Sequence, residues 1–106
     1  MIAVTYHRRG FCLTIRGHAG AGQKGQDLVC CAVSMLAHTL GENLRQMERH
    51  GRLQGCVILL GEGRGDIRCV PQPQFRGACT LVFDTVVTGF RLMARDYPAH
   101  VKIEII

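Results

Sequence analysis

His18 and Cys30, joined by a glycine-rich stretch, are the minimal equipment for nucleophilic attack on a carbonyl. The imidazole takes the thiol proton, the thiolate attacks, and the imidazolium returns the proton to a leaving amine. The segment that carries both reads GHAGAGQKGQDLVCCAVS over 17–34, and Gly17, Gly20, Gly22 and Gly25 leave the loop few side chains to hold one conformation. The four glycines predict a mobile loop over about 19–25 that carries His18 next to the cysteine.

Asp27 stands where a helix begins, and its carboxylate is placed to accept the amide of the second or third helical residue, the third being Cys30. The sulfur then lies in the first turn. There, unpaired amides and the helix dipole are expected to lower the thiol pKa and to stabilise an oxyanion. Asp27 could also orient His18, although the spacing favours the cap. Ser34 lies one turn beyond Cys30 on the same face, able to hydrogen-bond toward the site or back onto its own helix, the second being the simpler reading. Cys31 is rotated from Cys30 by roughly 100° and is expected among packed neighbours.

The elements that must position these residues follow from periodicity. Ile2 to His7 alternates as a strand, and Arg9-Gly10 makes a turn into a second strand over Phe11 to Arg16. A helix is predicted from about 27 to 49, with the stripe Val29, Ala32, Val33, Leu36, Leu40, Leu44 and Met47 and a C-terminal cap at Gly51. Gly55 to Leu60 contains the apolar run CVILL, which has the look of a central strand, and a turn at Gly61, Gly63 and Gly65 leads to a short strand over Asp66 to Val70. A second helix over about 77–97 carries Leu81, Val82, Thr85, Val86, Gly89, Phe90, Met93 and Ala94 as its stripe. Pro98 stops it before a closing strand over Val101 to Ile106. The order ββαββαβ predicts one α+β domain over 1–106, with two helices packed on a mostly antiparallel sheet.

Composition narrows the function. At 106 residues, 47% hydrophobic and 20% charged, with a mean hydropathy of +0.11, the chain has room for one core and is not disordered. No unbroken apolar run reaches the roughly 18 residues of a membrane span, and the N-terminus has no signal-peptide pattern, so a cytoplasmic protein is expected. The six cysteines, Cys12, Cys30, Cys31, Cys56, Cys69 and Cys79, then read as reduced thiols, most of them small core residues. Without a CxxC pair a zinc site has little support, and no metal or cofactor is expected. Gly17 and Gly22 have phosphate-loop spacing, but Gln23 and Lys24 replace the required Lys and Ser or Thr, which argues against nucleotide binding. The charge of +5 suggests acidic partners, although Arg8, Arg9, Arg45, Arg49 and Arg52 are as readily a solvated face.

Gly17, His18, Ala19, Gly25, Asp27, Val29, Cys30, Ala32, Val33 and Ser34, by type and offset, resemble the signature of the ribosomal-processing cysteine protease family Prp. The length and element order resemble that family over the whole chain. The resemblance implies a cytoplasmic, homodimeric cysteine endopeptidase whose substrate is the N-terminal extension of a large-subunit ribosomal protein. Removing that extension exposes the mature N-terminus, which approaches the peptidyl transferase centre. By position, His18 matches the catalytic histidine and Cys30 the nucleophile, while Asp27 and Ser34 match further motif positions. Cys31 departs from the pattern, standing where alanine is expected. Neither a membrane nor direct nucleic-acid binding is implied. A reading of a different class is a non-catalytic ribosome- or RNA-associated binding module with an incidental His and Cys. It is favoured if the host's ribosomal protein is made without an extension.

Overall fold

The computed structural model describes residues 1–20 and 27–106. In chain order its elements are β1 (Ile2–His7), β2 (Cys12–Arg16), α1 (Leu28–Arg49), β3 (Leu53–Gly61), β4 (Arg64–Pro71), α2 (Arg76–Asp96) and β5 (Val101–Ile105). This is the expected ββαββαβ order. The five strands form one sheet in the order β3-β4-β2-β1-β5. β1–β2, β2–β4 and β3–β4 pair antiparallel and β1–β5 parallel, so the sheet is mostly antiparallel.

Alternation decides which face is covered. β1 buries Ile2, Val4 and Tyr6, β2 buries Leu13 and Ile15, and β4 buries Ile67 and Cys69, all toward the helices. Thr5, Thr14 and Asp66, paired in register across β1, β2 and β4, lie on the open face. α1 and α2 pack on each other, α1 also on β3 and α2 on β5, giving two layers around one core. Tyr6, Leu13, Leu40, Leu44, Ile67, Phe83 and Phe90 are fully buried there, and each such side chain contributes about 1.5–3 kcal/mol.

β3 departs from expectation: it is an edge strand, not a central one. Its continuous apolar run arises because Ile58 and Leu60 pack on the core cluster while Val57 and Leu59 face outward, exposed. The α2 stripe holds in part: Val86 and Phe90 are buried and Val82, Met93 and Ala94 pack against the core, but Leu81 and Thr85 are exposed, and Cys79, Phe83 and Val87 are buried beside it. Apolar and β-branched residues surround this helix, so the two phenylalanines, the largest apolar groups, set its orientation. By length and composition the 73–96 stretch is apolar enough to cross a bilayer, yet Phe83 and Phe90 are among the most buried side chains of the core.

α1, the element that carries the cysteine, is fixed at both ends. Asp27 Oδ1 accepts the amides of Val29 (3.0 Å) and Cys30 (3.1 Å), the cap that the offset predicted. At the other end Gly51 takes φ +72°, its amide donating to Glu48 O and that of Arg52 to Met47 O, a Schellman closure. Val29, Val33, Ala37, Leu40, Leu44 and Met47 are buried, so the first turn of α1 is held against the sheet with Cys30 at its rim.

Candidate active site

A cavity of about 780 Å³ opens where the start of α1 faces the start of β1, the end of β2 and the β3–β4 turn. His18, Cys30, Asp27 and Ser34 all line it, together with Gly17, Gly20 and the 60–65 segment. The structure thus brings the four sequence-predicted site residues to one concavity. Gly22 and Gly25, and all of the 19–25 loop beyond Ala19 and Gly20, lie outside the described residues.

The residues around His18 are held by backbone contacts from elsewhere in the chain. The Gly17 amide donates to Gly63 O at 2.9 Å, and the Met1 amino group donates to His18 O. Gly17 takes φ +98°, and a Cβ there would overlap Met1 O. Gly63, at φ +69°, lies so close to the imidazole that a Cβ would stand 2.7 Å from His18 Nε2. Both positions need glycine for conformation as well as for space.

Cys30 is half-buried, and its Sγ accepts the amide of Ala19 at 3.4 Å. The thiol is pushed up from its ordinary range by burial first and then by its hydrogen bond and charge interaction with Asp27. The Ala19 amide and the N-terminal ammonium oppose this rise. The expected lowering at a helix start is therefore not the outcome. Burial of the sulfur is the main cause, and the cap that satisfies the helix amides is itself a carboxylate beside the sulfur that raises the thiol further. Among the described residues the Cys30 side chain bonds to Ala19 and Asp27, not to His18.

The same cap revises the oxyanion expectation. The Val29 and Cys30 amides are taken by Asp27 Oδ1 and the Cys31 amide by Asp27 O, whereas the Ala19 amide points at the sulfur. Ser34 does not bond back onto its helix: its hydroxyl makes no hydrogen bond among the described residues and borders the cavity. Cys31 is exposed and lines the same cavity, so it is not packed among neighbours as its rotation suggested. Only Cys69 and Cys79 are buried in the core, while Cys12 and Cys56 are half-buried, and all six thiols are free. His38 also lines the cavity, but two turns along α1 it stands about 12 Å from Cys30 along the axis, beyond direct proton transfer.

Two site residues were not legible as such in the sequence. Gly63 reads only as turn punctuation. His100, just before β5, places Nδ1 2.8 Å from Ala19 O, a contact between residues 81 positions apart that no local pattern announces. The cationic residues read as a solvated face are exposed, with Arg8 paired to Asp84 and Arg45 and Arg49 to Glu42.

A loop histidine and a helix-start cysteine bordering one cavity are the equipment of a cysteine-dependent hydrolase. The chain belongs to the cysteine protease Prp family, whose model matches residues 1–102. Its fold is similar to that of the ribosomal-processing protease Prp of Staphylococcus aureus in complex with a covalently linked product peptide. That likeness has a TM-score of 0.75 and 18% identity over 99% of this chain and 97% of the other. The same S. aureus protease in complex with a substrate peptide gives a TM-score of 0.67 and 16% identity over 99% and 97%. A protein from Streptococcus mutans gives a TM-score of 0.70 and 25% identity over 100% and 94%. No curated protein matches the sequence.

Proposed function

We propose that this chain is a cysteine endopeptidase that removes the N-terminal extension of a large-subunit ribosomal protein, with Cys30 as nucleophile and His18 as acid–base group. The observation that carries the reading is the convergence of His18, Cys30 and Asp27 on one cavity, in a chain of the Prp family. The S. aureus relatives, described as ribosomal-processing proteases with bound peptides, support the choice of substrate.

In this mechanism the resting thiol is protonated, because burial and Asp27 hold its pKa up. An extended peptide enters the cavity, and His18 takes the Sγ proton as sulfur attacks the scissile carbonyl. The Ala19 amide, already directed at Sγ, is a donor for the forming oxyanion. The C–N bond breaks as the imidazolium protonates the leaving amine, and water then hydrolyses the thioester to regenerate the thiol. The family resemblance further supports a homodimer acting in the cytoplasm.

The test is to incubate the purified chain with the host's large-subunit ribosomal protein bearing its extension and to weigh the products. One cut that releases the extension is expected. An intact precursor, or a host precursor encoded without an extension, contradicts the proposal.

A further inference from the structure

His100 closes the turn between α2 and β5. Its backbone is locked, with the amide donating to Tyr97 O at 2.9 Å and the carbonyl accepting from Ile2 N at 2.8 Å. Its ring therefore projects from a fixed point, partly buried, with Nδ1 2.8 Å from the carbonyl oxygen of Ala19. A carbonyl only accepts, so Nδ1 carries the hydrogen in this contact. Ala19 is itself buried, at 3% exposure, and its amide donates to Cys30 Sγ. One residue thus has its carbonyl held by His100 and its amide directed at the sulfur, and the preceding residue is His18.

We propose that His100 is a positioning residue that acts through Ala19, fixing the amide aimed at Cys30 Sγ and the backbone from which His18 projects. Loops rich in glycine do not hold such an amide unaided, because the backbone entropy lost on ordering opposes it. A donor anchored to the sheet supplies the restraint from outside the loop. The role rests on the proposed chemistry of Cys30, and it adds a residue that is not among those lining the cavity.

The experiment compares His100→Ala, His100→Leu and His100→Asn with wild type and Cys30→Ala on the extension-bearing ribosomal protein, with melting curves for each. Asparagine places an amide N–H near the position of Nδ1, whereas leucine fills the space without a donor. His100→Ala and His100→Leu are expected to lower kcat roughly 10- to 100-fold with KM nearly unchanged, the range a misplaced catalytic group produces. His100→Asn is expected to return kcat to within a fewfold of wild type. In the Ala and Leu variants Cys30 should also react more slowly with iodoacetamide at pH 8, read by site-resolved mass spectrometry. Leucine rescuing better than asparagine overturns the proposal by reducing the role to packing, and so do all three variants turning over normally. If His100→Ala melts below the assay temperature, the Asn and Leu pair decides. Cys30→Ala separates the two claims. Normal turnover by that variant defeats the assignment of Cys30 as nucleophile, on which the positioning role rests, whereas a dead Cys30→Ala beside unimpaired His100 variants defeats the positioning role alone.

Discussion

Gly63 lies against the Nε2 end of the His18 imidazole, so close that a Cβ added there would stand 2.7 Å from Nε2. The turn between two sheet strands thereby sets the height at which a loop histidine stands over the cavity. Gly63→Ala meets two obstacles, the left-handed φ of +69° and the ring itself. The backbone cost is about 1–2 kcal/mol. Turnover should fall by much more than the loss of melting temperature accounts for, because the ring must move. If turnover tracks stability alone, the position of His18 is irrelevant to activity.

His18→Ala should lower kcat by about 10² or more, the usual contribution of a positioned acid–base group, while KM changes much less. Steady-state kinetics on the extension-bearing substrate measure both. A variant within a fewfold of wild type would remove histidine from the mechanism.

Burial is the main cause of the raised Cys30 pKa, and Asp27, which caps α1 and hydrogen-bonds the thiol, raises it further. Asp27→Asn keeps a capping side chain and removes the charge, so the pH profile of Cys30 alkylation should move to lower pH with little change in melting temperature. Asp27→Ala should lose the cap as well, at about 1 kcal/mol. If Asp27→Ala leaves stability intact and yet eliminates cleavage, the carboxylate acts on His18 instead of on the helix.

The cap illustrates how far the sequence could be read. Stripe, Asp27 and Gly51 together determine α1, because each is a local signal; both caps hold, and so does the stripe except that Ala32 and Leu36 are only half-buried while Ala37 is buried. The α2 stripe holds at Val82, Val86, Phe90, Met93 and Ala94 but takes in Leu81 and misses Phe83, since both are apolar and only packing against the sheet decides which turns inward. The apolar run of β3 likewise does not distinguish an edge strand from a central one. Within the site, the types and offsets of His18 and Cys30 were legible, but the environment of the sulfur was not. It depends on the side chain of Asp27, the Ala19 amide and, through Ala19, a histidine that follows α2.

Alkaline pH should unfold the protein through groups remote from the cavity. Burial, with smaller contributions from Asp84, lifts Tyr6 from 10.0 to about 12. Burial, with the neighbouring Cys79 and Cys56, lifts Cys69 from 9.0 to about 12. The folded state holds these protons more tightly than the unfolded chain, so stability is full below pH 9 and falls as pH rises from 9 toward 12. Denaturant titrations at intervals over that window should show the decline. Tyr6→Phe should flatten its upper part, and a profile with no loss before pH 12 contradicts the assignment.

The nucleophile itself is tested most directly by swapping the adjacent thiols one at a time, since Cys30 and Cys31 both line the cavity. Turnover of the extension-bearing ribosomal protein is measured for Cys30→Ala and Cys31→Ala, with melting curves to show that both fold. Cys30→Ala is expected to give no detectable cleavage and Cys31→Ala near wild-type cleavage. Normal cleavage by Cys30→Ala with a dead Cys31→Ala would contradict it.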